Sequence, residues 1–267
     1  MAKLTRKLWA GIGVATLTGV AFAPQAIAQD HGHAAPAKAA ATPDAGGEAY
    51  LTDGGPRDTR IRFYRDIELM RGHLLVGGQL IALGLWDEAL PHFLHPTEEL
   101  YGLMEKYIKL HHITPFRRDL QVLAQAVKAK RRGAYDQALK VVDRRLAGAL
   151  DVARGFMHPP LKFTVRAAVE VLKAAHSEYE ESMEGGRFVK PVEYQDSRGF
   201  VWQAESMFEG AAKALARADA ASLEKIRADV AKLKTAWPAP MPPSAPVLQA
   251  GDVASLIADI EQHIARY

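Results

Sequence analysis

Apolar residues recur every three or four positions through most of this chain, and that period points to one class of fold. Ile61, Tyr64, Ile67, Met70, Leu74, Leu75, Ile81 and Leu83 form one stripe, the spacing of a single face of an α-helix. The stripe predicts a helix that begins at Asp58 or Thr59, either a suitable N-cap, and ends at Gly84. Gly77-Gly78 lowers helix propensity inside it, which points to close approach of a neighbouring helix. The same period predicts helices over 86–94, from Pro96 to 112, and over 116–130, 134–156, 161–184, 198–217, 221–237 and 253–266. Pro96 reads as the first residue of its helix, with Glu98 and Glu99 behind it opposing the helix dipole. FVKPVEY at 188–194 is the one strand candidate, and its proline demotes it. The fold class is therefore all-α: a helical bundle, or two similar antiparallel half-bundles.

Ahead of the helices lie two segments of different character. Lys3, Arg6 and Lys7 precede an apolar run from Leu8 to Ala23, and Ala26-Ile27-Ala28 supplies a small-x-small cleavage pattern. This order predicts a secretory signal peptide over 1–28, with the mature chain starting at Gln29 outside the cytoplasm, most simply in a bacterial periplasm. The apolar run is shorter than the 18 or so residues that a spanning helix needs. No later segment is longer and uncharged, so no membrane span is expected in the mature chain. Residues 29–57 are rich in Ala, Pro, Gly and Asp and poor in large apolar residues. Such a segment cannot bury enough surface to offset its ordering entropy, and it reads as a disordered tether. The helical domain follows over 58–237, with candidate halves at 58–156 and 157–237. A proline-rich segment and a last helix complete the chain over 238–267. The halves are weakly alike: His73 lies eleven residues before Gly84, and His176 ten before Gly186.

Charge excludes some partners. The chain has 34 Lys and Arg against 31 Asp and Glu, and three of those cations sit in the leader. The remaining 239 residues are balanced, which gives no case for nucleic acid or an anionic membrane. Cysteine is absent. Disulfides, thiolate metal sites, cysteine nucleophiles and covalent c-type haem are thereby ruled out.

The densest cluster of metal-ligating side chains is PHFLHPTEELY, 91–101, with His92, His95, Glu98 and Glu99. His73 lies on the preceding helix, and a tight turn at Gly84 would fold that helix back and bring His73 towards them. Imidazole and carboxylate a helical turn apart can converge on one ion. The plain alternative makes His95 a cap and the two glutamates dipole partners. A secondary cluster is HSEYEESMEGG, 176–186, where His176 and Glu180 share a face and Glu178 adds acid. Glu193 and Asp196 fall in EYQDSRGF, read as the turn before a helix. His111-His112 adjoins a helix end, and Asp30, His31 and His33 give at most a weak accessory site. Met70, Met104, Met157 and Met207 fall at apolar helical positions and read as core. No GxSxG, phosphate-cradling glycine loop or HExxH is present, so no enzymatic turnover is expected.

Two resemblances follow from these stretches. LGLWDEALPHF at 83–93 and RRGAYDQALKVV at 131–142 look like tetratricopeptide half-repeats, but Gly84 and Gly133 lie too far apart for a 34-residue repeat. The shared feature is a tight turn closed by small residues. The stretch from His176 to Phe208, with its EGG turn and EYQDSRGFV, resembles the extracytoplasmic helical domains of bacterial iron-permease systems and their imelysin-like partners. Where imelysin-like proteins carry GxHxxE, this chain has Gly72-His73 followed by Leu74-Leu75-Val76. The resemblance implies a metal-linked four-helix bundle with His and Glu on inward faces.

Three functional readings follow. The first is a periplasmic helical protein that binds or delivers a transition metal, iron or copper, through His73, His92, His95, Glu98 and Glu99, with an envelope protein or permease as partner. The second is a helical adaptor for an envelope complex, with structural histidines and no metal. The third is a non-covalent haem protein. The sequence leaves the oligomeric state open.

Overall fold

The computed structural model describes residues 55–158 and 160–267. The leader, most of the expected tether, and Asp30, His31 and His33 lie outside the described residues. Helix α1, Thr59–Ala82, starts where the Asp58 carboxylate accepts the Arg60 N–H at 2.9 Å. It stops at Gly84, whose φ of +81° only glycine adopts without strain. Short helices α2 (Trp86–Ala89) and α3 (Pro91–His95) follow.

The chain does not restart at Pro96. His95 is itself helical (φ −50°, ψ −43°), and a π-helical turn, Pro96–Leu100, joins α3 to α4, Tyr101–Leu110. The Tyr101 N–H donates to the Pro96 carbonyl five residues back. Proline has no N–H to give to position 92, and the wider turn accommodates this without ending the helix. His95 is therefore not a cap, and His92, His95 and Glu99 are carried on one continuous helical path.

Helices α5 (Arg117–Lys128) and α6 (Arg132–Arg154) form a hairpin beside this path. The two tetratricopeptide-like stretches meet here. Tyr135 stands edge-on to Trp86 at 6.0 Å and to Phe93 at 5.7 Å between ring centroids. Helix α7, Pro160–Glu181, leads into a two-residue hairpin, β1 (Met183–Glu184) against β2 (Arg187–Phe188). Gly185 and Gly186, at φ +56° and +76°, make the turn.

Helix α8, Pro191–Leu233, begins seven residues before the expected Arg198, because Pro191 takes the first helical position. EYQDSRGF is thus helix rather than turn. The helix breaks at Asp219 (φ −166°, ψ 96°), whose carboxylate accepts the Ser222 N–H and hydroxyl and starts the second segment. The proline-rich segment is tied down where Tyr194 and Tyr179 donate to the carbonyls of Ala239 and Leu248. Helix α9, Ala250–Ile264, starts with a reciprocal cap between Gln249 and Asp252.

The architecture is all-α apart from the small hairpin. Helices α7, both segments of α8, and α9 pack together, and α1 lies against α7 and α8. Met70, Met104, Met157 and Met207 are core side chains, as read from their spacing. Helix α1 is buried nearly all round, yet it carries Arg65, Asp66, Glu68 and His73 inside. Buried polar groups need partners, and those of His73 define the site.

Candidate metal centre

Helices α1 and α8 cross with backbone contact. A Cβ on Gly199 would lie 2.3 Å from the Gly72 carbonyl oxygen, and one on Gly72 would lie 2.6 Å from the Phe200 ring. Neither position has room for a side chain. The crossing sets the next residue of α1, His73, against Asp196, one turn before Gly199 on α8. Gly77 plays the matching part towards α3: its Cβ would meet the Phe93 ring at 2.5 Å and the His92 Cβ at 3.2 Å. The expected close approach at Gly77-Gly78 is present, and it seats the α3 histidines beside His73.

Three imidazoles then converge on one carboxylate. His73 Nδ1 and His92 Nδ1 each lie 2.6 Å from Asp196 Oδ1, and His95 Nδ1 lies 3.0 Å from Oδ2. His92 is held on its far side too, with Nε2 2.8 Å from Gln195 Oε1. His73 and His95 rings stand edge to face at 5.3 Å, and Phe200 packs edge-on against His73 at 4.8 Å. His95 Nε2 faces Glu99 Oε1 at 3.7 Å. His73, His92 and Asp196 are buried, while His95 and Glu99 are about one-fifth exposed, at 21% and 22% of their side-chain surface.

The electrostatics follow from this packing. Burial alone would raise the Asp196 carboxyl, but His73, His92 and His95 outweigh it and hold the group well below the usual range. Burial works against a charge on His95, yet the facing Asp196 carboxylate outweighs it and lifts the imidazole to about 9. His73 goes the other way: burial outweighs the attraction of Asp196 and lowers the imidazole. Glu178 of α7 is pushed well above the ordinary range, first by burial and then by Asp196, Glu99 and Glu193. Glu193, in the first turn of α8, is raised by burial and by Asp196. Four carboxylates thus share one end of the bundle with three histidines.

The arrangement fits a metal ion. His73, His92 and Asp196 each offer a ligand atom within 4.8 Å of the others, and so do His73, His95 and Glu99. Ligands about 2.0–2.2 Å from a common ion stand at most about twice that far apart, so small side-chain rotations suffice. The donors are imidazole nitrogen and carboxylate oxygen, the mixture that non-haem iron takes.

Residues 160–267 match the family model of the iron permease-associated 4-helix bundle domain. The stretch 176–208, whose EGG turn and EYQDSRGFV carry the iron-permease resemblance, lies inside the match, and the matched region contains α7, both segments of α8, and α9. No curated protein and no solved structure matches the chain. Asp196, Glu178 and Glu193 belong to the matched bundle, whereas His73, His92, His95 and Glu99 come from the helices before it. The centre is completed only where the two parts meet.

Of the five ligands expected from sequence, His73, His92, His95 and Glu99 come together, and Glu98 points outward as an exposed residue. His176 and Glu180 do not join them. His176 Nε2 lies 3.2 Å from the Ala250 carbonyl, and its Nδ1 lies 3.5 Å from Glu180, so the pair works at the start of α9. His111 packs at a tilt between the rings of Tyr107 and Phe156. The candidate ligand that sequence spacing missed is Asp196. Its signal was Pro191 five positions earlier, which makes EYQDSRG two helical turns and puts Asp196 one turn from Gly199.

Proposed function

We propose that this chain is an extracytoplasmic iron-binding module that serves an iron permease, holding iron between helices and passing it on without chemical turnover. The observation that carries the reading is the convergence of His73, His92 and His95 on Asp196, a carboxylate supplied by an iron permease-associated bundle. Burying a carboxylate and two imidazoles is less stabilising than apolar packing of the same volume, which argues for a use beyond stability. The secretory pattern over residues 1–28 supports a place outside the cytoplasm. Among the described residues no helix is long and apolar enough to cross a membrane, so the permease would be a separate chain or a segment beyond those described. Imidazole and carboxylate suit iron, and copper(I) would favour sulfur ligands.

The test loads purified protein with Fe(II), Fe(III) or Cu(II), removes free metal, and measures what remains by elemental analysis. Wild type is expected to retain iron, and Asp196→Asn to lose it while circular dichroism stays helical. Equal retention by both, or none by either, would favour a helical adaptor with structural histidines.

A further inference from the structure

The donors exceed what one ion needs, and they fall into two sets that share His73. The first set, His73, His92 and Asp196, is buried. The second adds His95 and Glu99 to His73, and these two are partly open to solvent. Asp196 stands between the two sets. Its Oδ1 takes His73 and His92, and its Oδ2 takes His95. A carboxylate that gives each oxygen to a different group of ligands is how proteins seat two ions side by side. Glu99, Glu178 and Glu193 add further carboxylates beside His95 at this end of the bundle. Removing charge from water in such a place is costly unless it is compensated.

We propose that the centre holds two cations, an inner one on His73, His92 and the Oδ1 side of Asp196, and an outer one on His95 and Glu99 at the Oδ2 side, with Glu178 beside it. This deepens the iron-binding reading and rests on it. The inner position is shut in by Phe200 and Gln195 and suits retention. The outer one is the route by which an ion reaches or leaves the bundle, because only its ligands touch solvent.

The experiment uses the full mature chain with His31→Ala and His33→Ala, which removes weak binding by the tail. The probes are Fe(II) without oxygen for stoichiometry and Mn(II) for electron paramagnetic resonance. Two ions per chain are expected, with the multiline spectrum of a coupled Mn(II) pair. Glu99→Gln should reduce the count to one and turn the spectrum into the six lines of an isolated ion. His92→Ala should also leave one ion, in a more solvent-exposed position with faster exchange against chelator. One tightly bound ion in the wild type, unchanged in Glu99→Gln, would overturn the two-cation centre and leave iron binding standing. No bound ion would overturn both. The wild-type count needs no variant to fold, so a misfolded mutant cannot rescue the proposal.

Discussion

Gly72 and Gly199 meet backbone to backbone, and their contact sets the distance between His73 and Asp196. A methyl group on Gly199 would sit 2.3 Å from the Gly72 carbonyl oxygen and 3.2 Å from the Val76 side chain. The obstacle is main chain, which cannot rotate away as a flexible side chain could. Helices α1 and α8 would have to separate, and the 2.6 Å contact from His73 to Asp196 would open with them. Close packing at a bare pair of glycines is thus a condition for the site as well as for the bundle.

Gly199→Ala should therefore destabilise the protein by about 1–3 kcal/mol, the range for overpacked interiors, and weaken iron binding at least tenfold. Gly148→Ala is the control. It lies exposed within α6 with nothing near its absent Cβ, and should stabilise by about 0.5–1 kcal/mol through helix propensity. Denaturant melts and metal titrations of the two variants check both signs. Equal effects would show that the crossing at Gly72 has slack.

His95→Ala should weaken iron binding by about 1.4 kcal/mol or more, a tenfold change in Kd. The ring is partly exposed and packs on His73 at the rim of the site, so helicity should stay close to that of wild type. Isothermal titration of the two proteins decides it. Unchanged affinity would remove His95 from the ligand set.

The pH dependence has a definite sign. His95 is raised from its unfolded value of 6.5 to about 9 in the fold, so its contribution to stability is complete below pH 6.5 and is lost as pH rises through about 9. Metal-free protein should melt at progressively lower temperature across that window. A bound ion replaces the His95 proton, and metal binding is favoured as competing protons leave. Loaded protein should then hold or gain in melting temperature over the same range. Parallel curves for the two forms would mean that the ion does not displace that proton. At the acid end Asp196, held below its unfolded 3.8, contributes stability above that value and loses it as pH falls further.

Most of the fold was legible from period alone, because nearly every helix buries one apolar face. Two places were not, and both involve proline. Pro96 read as a helix start because the residue before a proline is usually pushed out of the α region, yet here a π turn carries the helix through. Pro191 was passed over as part of a weak strand, although it opens α8. That second misreading hid Asp196, since a residue placed in a turn has no predictable face. The histidines were visible because they cluster in sequence, and their turn at Gly84 implied the fold-back. The carboxylate that gathers them lies more than 100 residues away, and only the Gly72–Gly199 crossing brings it there. No spacing rule within one segment reports such a contact. Glu98 and Glu99 show the opposite limit: adjacent and alike in sequence, they point to different sides of the π turn, so only Glu99 reaches His95.

The His176–Glu180 pair supplies the last test, because by composition it looks as suited to metal as the centre does. Its geometry says otherwise. The imidazole is spent on the Ala250 carbonyl at the first turn of α9, and Glu180 is 60% exposed. His176→Ala should leave the number of bound ions and their affinity unchanged. It should lower stability by about 0.5–1.5 kcal/mol, the net worth of one hydrogen bond, and hydrogen exchange should quicken in α9 first. Loss of an ion in this variant, with α9 protected as before, would move the metal centre to a different face of α7 from the one on which Glu178 meets Asp196.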